Sequence, residues 1–228
     1  MQKNPYAGKF IVFEGLDGSG QSTQANLLKD FLLEKNFNVI LTKEPTQDSE
    51  AGKKIRKILD KKAGVQPLQL QKLFAQDRKE HLENIIIPAL KEGKIVISDR
   101  YFFSSFAYGS ASGVNLEWLI KINDEFLLPN LTFILKVSPK ICLGRIKKRG
   151  DKITLFEEKK ELEKVWEVYK ILPKLFENVY PVRKSEKKLR SKRKDIDFFN
   201  GVYIINGEKP INEVFEEVKN LAHSKLNL

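Results

Sequence analysis

A single cysteine, Cys142, and two histidines, His81 and His223, are all this chain offers to disulfide or soft-metal chemistry. One cysteine cannot close an internal disulfide, and with so few soft ligands a protein-ligated zinc site is not expected. Any metal should arrive with a nucleotide. No apolar run approaches the ~20 residues that cross a bilayer. Residues 1–8, MQKNPYAG, lack the apolar stretch of a secretory signal, so a cytoplasmic protein without membrane partners is expected. What is there fits a soluble globular chain: 228 residues, 41% hydrophobic and 31% charged, read as one domain spanning 1–228. The net charge of +11 is unevenly placed, because Arg183 to Lys194, RKSEKKLRSKRK, sets eight basic residues against Glu186. A block of this kind, in a basic loop over 183–199, is usually a solvated loop. Nucleic-acid binding through 183–194 is the sharper alternative and is not favoured, since no aromatic residue interleaves it.

Five short apolar runs recur between helical stretches: Phe10 to Phe13, Val39 to Leu41, Ile95 to Ile97, Thr132 to Leu135 and Val202 to Ile205. Continuous apolar character, rather than polar alternation, suits strands of a parallel sheet buried on both faces. Helical spacing places helices near 22–35, 67–91, 116–126, 139–149, 158–179 and 210–226, the last opened by Pro210. Strand and helix alternate, so the class is α/β, a five-stranded parallel sheet with helices on both faces. Trp118 and Phe126 read as core. In open sheets of this type ligands sit beyond the carboxyl ends of the strands, and the search for function belongs there.

The first such place is a glycine-rich turn. In KFIVFEGLDGSGQSTQ, Gly15 and Gly20 keep the G-x-x-x-x-G spacing of a phosphate-binding loop, and Ser22 and Thr23 can open a helix whose first N–H groups face an anion. The lysine that ordinarily follows the second glycine is replaced by Gln21. Its amide can donate a hydrogen bond but carries no charge to set against the β and γ phosphates. After the third run come Asp99, a carboxylate able to hold Mg²⁺, and Arg100, whose fork can grip a second phosphate. Phe74 and Arg78 stand at i, i+4 on one helix face, where a ring and a guanidinium can clamp a nucleobase. A stripe of Leu70, Leu73 and Phe74 is equally what a core face looks like, and Arg78 could pair with Asp77 or Glu80; pattern alone favours that structural role. Arg145, Lys147, Lys148 and Arg149 end a helix ahead of Gly150-Asp151, as in a lid that brings cations onto a transferring phosphoryl group. Arg145 or Arg149 is then the candidate for the charge that Gln21 lacks.

Taken in order, these motifs resemble the thymidylate kinase family over essentially the whole chain. FEGLDGSGQSTQ is similar to its phosphate-loop block, Lys43-Glu44-Pro45 to its Arg-Glu-Pro block, and LFAQDRKEH to its Leu-Phe-Ala-x-Asp-Arg block. DRYFFSSFAYG resembles its Asp-Arg-Tyr segment, and RIKKRGD with Phe156-Glu157 its lid approach. The resemblance implies a three-layer nucleoside monophosphate kinase-like fold with a lid near 145–160, ATP and Mg²⁺ as cofactors, thymidylate (dTMP) as acceptor, and a homodimer. It implies that Gly15, Asp17, Gly18, Ser19, Gly20, Gln21, Ser22 and Thr23 address ATP, and that Ser22 and Asp99 serve the metal. Phe74 would stack on thymine, Arg78 meet its O4, and Ser105 approach the base. Lys43 and Arg100 would take the monophosphate, beside Glu44 and Pro45. Asp17 would hold the 3′-hydroxyl, and Tyr108 crowd the 2′ position. Gln21, Arg100, Arg145 and Arg149 would carry catalysis. Gly109 stands where many relatives carry Gln.

Overall fold

The computed structural model describes residues 1–60, 63–150, 159–175, 197–199 and 201–226. The basic segment 183–194 and lid residues 151–158 lie outside the described residues. The strands are β1 (Gln2–Lys3), β2 (Lys9–Gly15), β3 (Val39–Lys43), β4 (Ile95–Asp99), β5 (Leu127–Leu128), β6 (Leu131–Lys136), β7 (Asp197–Phe199) and β8 (Val202–Asn206). The helices are α1 (Gln21–Glu34), α2 (Glu50–Leu59), α3 (Pro67–His81), α4 (Ile87–Lys91), α5 (Phe102–Ala111), α6 (Leu116–Ile122), α7 (Pro139–Arg149), α8 (Lys159–Leu175) and α9 (Ile211–Leu226).

Five strands run parallel in the order β3-β4-β2-β6-β8. To the five expected strands the structure adds β7, an antiparallel edge strand on β8 that is too short to register as an apolar run. A separate parallel pair joins β1 to β5. From β2 the chain crosses to β3, returns to β4 beside β2, and then passes to β6 on the other side. The strand order therefore reverses at β2, which is where α/β sheets open a ligand crevice. Register brings the carboxyl ends level: Lys43 and Phe13 both pair with Asp99, Gly15 with Leu135, and Lys136 with Asn206.

Alternate residues of each central strand enter two cores. Phe10, Val12, Val96 and Ile134 pack under α5 and α8 with Phe102, Phe106, Val165 and Tyr169. Ile11, Phe13, Ile97, Phe133 and Ile205 pack under α1 and α9 with Leu28, Leu32, Val214 and Val218. Both faces of the sheet are thus covered, which is what an apolar run without alternation requires. Two helices lie where no helix was expected. α5, FFSSFAYGSA, has buried residues on nearly every side, so it shows no helical stripe. α2 is capped by Ser49, whose hydroxyl accepts from Gly52 N, and buries Ala51, Ile55 and Ile58.

The expected 67–91 helix is interrupted by a π-helical turn at Leu82–Ile86 ahead of Pro88. Proline has no N–H to give and crowds the preceding turn, and a wider turn relieves both. The 116–126 helix stops at Ile122, because Asn123 turns its Nδ2 back onto Leu119 O and offers its Oδ1 elsewhere. Phe126 is buried and Trp118 packs partly against the same core. Among the described residues no helix is long and apolar enough to cross a membrane.

Candidate functional site

A cavity of about 760 Å³ opens over the carboxyl ends of β2, β3 and β4. The turn Asp17 to Thr23 forms one wall, and Lys43, Glu44, Pro45, Phe74, Arg78, Asp99, Arg100, Ser105, Tyr108, Arg145 and Arg149 also line it. Every site residue expected from sequence except Gly15 is on that surface. Gly15 sits just behind it, its carbonyl accepting from Gln21 Nε2 at 2.9 Å and Arg100 Nη1 at 3.1 Å.

The turn is pressed onto α7. Gly18 has φ +82°, and a Cβ there would come 2.6 Å from Cys142 O, so only glycine fits. Gln21, the first residue of α1, is 5% exposed and spends its amide on Gly15 O, tying the two ends of the turn together. Arg145 does not stand free as a lid cation. Its Nη1 donates to Ser19 O at 3.2 Å and its Nη2 to Gly207 O at 3.1 Å, joining the turn to the loop after β8. Arg149, the last residue of α7, lines the cavity with Lys148.

Asp99 ends β4 and is 4% exposed, and its Oδ2 accepts from Ser22 Oγ at 2.5 Å and Lys43 Nζ at 3.0 Å. A carboxylate and a hydroxyl converging beside a phosphate loop are the hard oxygen donors that Mg²⁺ takes, and few of them are needed when phosphates supply the rest. Arg100 follows at φ +78°, a left-handed conformation rare outside glycine, which turns its side chain back across the site. Nη2 donates to Asp17 Oδ1 at 2.8 Å, and Nη1 to Ser104 Oγ at 2.8 Å. Burial opposes its charge, but the Asp17 carboxylate holds the guanidinium well above its ordinary pKa. Tyr108 closes the group. Its hydroxyl donates to Asp17 Oδ2 at 2.7 Å, and burial with Asp17 nearby raises its pKa well above the usual value.

A second network fixes Arg78, 1% exposed. Nε donates to Glu44 Oε2 at 2.9 Å and Nη2 lies 2.8 Å from the same oxygen. Nη1 donates to Asn123 Oδ1, and Nη2 to Ser105 Oγ at 3.1 Å. The guanidinium lies over the Tyr101 ring at 5.2 Å. Glu44 Oε1 in turn meets His81 Nδ1 at 3.2 Å, whose Nε2 meets Thr42 Oγ1 at 2.6 Å. Arg78 therefore pairs with neither Asp77 nor Glu80. Asp77 instead accepts from Thr46 N, Thr46 Oγ1 and Ser49 Oγ, pinning the loop after β3 to α3.

Sequence reasoning missed Glu14, Arg56 and Gln71. Glu14, fully buried at the end of β2, accepts from Tyr101 N, Ser104 N, Ser104 Oγ and Tyr169 Oη. It thereby caps the start of α5 and links that helix to α8. Burial raises its pKa to about 7, against the lowering effects of Ser104, Arg100 and Tyr169. A charged residue inside an apolar strand was its signal. Arg56 and Gln71 line the cavity from α2 and α3; nothing local in the sequence marks them.

Comparisons with known proteins identify the family. The thymidylate kinase family model matches residues 13–196. A probable thymidylate kinase of Pyrococcus abyssi is 36% identical over 224 residues, covering 96% of this chain and 98% of that protein. One of Pyrococcus horikoshii is 48% identical over 162 residues, 69% of this chain and 78% of its own length. A thymidylate kinase of Caldicellulosiruptor saccharolyticus is 43% identical over 175 residues, 74% and 84% of the two chains. With a family model covering most of its length and relatives aligned nearly end to end, the chain belongs to the thymidylate kinase family.

Proposed function

We propose that this chain transfers a phosphoryl group from ATP to thymidylate, dTMP + ATP giving dTDP + ADP, in pyrimidine deoxynucleotide synthesis. The observation that carries this reading is the meeting, in one cavity, of the phosphate turn at Gly18 to Thr23, an anion grip at Lys43 and Arg100, and the slot holding Phe74 and Arg78. ATP phosphates lie on the turn and the N-terminus of α1. Arg100 and Lys43 hold the acceptor phosphate, and Arg100, already turned toward the site, is the fork that aligns it for in-line attack. Asp17 meets the 3′-hydroxyl, Tyr108 limits the 2′ side, Ser105 approaches the base, and Glu44 with Pro45 shapes the slot. No strong base is required, since the acceptor is a phosphate with a second pKa of about 6, ionised at neutral pH.

Ser22 and Asp99 would hold Mg²⁺, which neutralises charge on the β and γ phosphates. Gln21 carries no charge and gives its amide to Gly15 O, so the cationic share of transition-state stabilisation falls to Arg149 at the end of α7 or to Arg145 one turn earlier, which reaches the cavity while bonded to Ser19 O and Gly207 O. The family resemblance implies a homodimer, which sedimentation equilibrium would establish or exclude.

Release of ADP in a coupled assay tests the whole. With ATP and Mg²⁺, thymidylate should turn over, deoxyuridylate should be a secondary acceptor, and deoxycytidylate should trail. Its N4 donor would face the donors of Arg78, a buried mismatch of about 1 to 3 kcal/mol. Arg149→Ala and Arg145→Ala should lower kcat. Thymidylate inert beside a faster acceptor would refute the substrate, and unchanged kcat in both variants would refute the source of charge.

A further inference from the structure

α3 lines the cavity with three side chains, not two. Gln71, Phe74 and Arg78 fall at i, i+3 and i+7, one stripe of a helix. Gln71 is 2% exposed, and its carboxamide lies against α5 at Gly109. A Cβ on Gly109 would come 3.1 Å from Gln71 Cδ and 2.9 Å from Leu119 Cδ1, so any side chain there would displace this amide or the leucine. The Oε1 of Gln71 is buried, and among the described residues nothing donates to it. A buried carbonyl without a donor is disfavoured; Gln71 lines the binding cavity with this oxygen closed off from solvent, so a modest turn of its amide would offer the carbonyl to a donor that comes with the ligand.

The chemistry of the slot says which donor. A thymine edge presents O2, N3–H and O4, acceptor, donor, acceptor. Arg78 offers donors only and can never accept N3–H. Ser105 Oγ already accepts from Arg78 Nη2. Among the described residues of this wall, Gln71 Oε1 is left as the buried acceptor without a partner of its own.

We propose that Gln71 reads the pyrimidine, its Oε1 accepting the N3–H between the two ring carbonyls, with the carboxamide packed against Gly109 where a side chain would collide with it. This rests on assigning the slot between α3 and α5 to the base. It gives the site a preference for rings carrying a hydrogen at N3, thymine and uracil, over cytosine, whose N3 is an acceptor, and adds to any discrimination from Arg78.

The test compares thymidylate with N3-methylthymidylate, which keeps both ring carbonyls but carries no hydrogen at N3, for the native chain, Gln71→Met, Gly109→Ala, Ser105→Ala and Phe74→Leu. The native chain should favour thymidylate in kcat/KM by roughly tenfold to a hundredfold. Gln71→Met should cut that ratio several-fold. Gly109→Ala, which shifts the amide without removing it, should reduce the ratio in part and carries the test if Gln71→Met does not fold. A native ratio retained in both overturns the proposal, as does a ratio lost only in Ser105→Ala. If Phe74→Leu leaves KM for thymidylate unchanged, the slot is not the base site, and that separate failure takes this proposal with it.

Discussion

Glu14 gives the sharpest prediction, because two opposing effects meet in one carboxyl. Complete burial penalises the charged form, whereas four donors and nearby Arg100 favour it, and burial prevails: the pKa stands at about 7 against an ordinary 4.5. A folded-state pKa above the unfolded value means the folded chain holds a proton that the unfolded chain releases. The associated stability is fully present below pH 4.5, declines as pH rises toward about 7, and is gone above it. Each tenfold change in proton affinity is worth about 1.4 kcal/mol, so the loss across this window is about 3 kcal/mol.

Other carboxylates titrate in the same range, so the quantity to measure is the difference between the native chain and Glu14→Gln, whose side chain is nearly the same shape and never ionises. Urea unfolding at intervals from pH 5 to 8 should show the native chain losing about 2 to 3 kcal/mol relative to the variant. A difference that stays flat over that range would refute the reasoning, since the four donors would then outweigh burial and Glu14 would be ionised throughout.

Two further outcomes follow from contacts in the site. Gly18→Ala forces a left-handed residue to carry a Cβ 2.6 Å from Cys142 O; it should cost about 2 to 4 kcal/mol in urea unfolding and raise KM for ATP more than KM for thymidylate. Arg78→Lys keeps the charge but cannot reach Glu44, Asn123 and Ser105 together. Buried acceptors left unpaired should lower stability by roughly 2 to 4 kcal/mol and raise KM for the acceptor nucleotide.

The central strands were legible because their burial on both faces writes itself as an unbroken apolar run, as at Phe10 to Phe13. α5 was not, for the same physical reason in another geometry: a helix buried all round shows no period. The phosphate turn, Asp99 and Arg100 could be read because their chemistry is local, with ligand groups close in sequence and just after strands. The partners of Arg78 could not. Glu44 and Asn123 reach it from a strand end and a helix end far apart in the chain, and the nearer Asp77 is drawn away by Thr46 and Ser49. Arg145 was visible as a cation, but its use, bridging Ser19 and Gly207, depends on a loop some sixty residues downstream.

The bond from Gln21 to Gly15 O makes the nucleotide cradle part of the fold's own stability as well as part of its chemistry. A bond made within the folded chain fixes part of this mould before any triphosphate arrives, which lowers the ordering cost of binding. Replacements at position 21 consequently act on thermal endurance and on turnover at once, and screening such variants by activity alone would conflate a looser mould with a weaker catalyst.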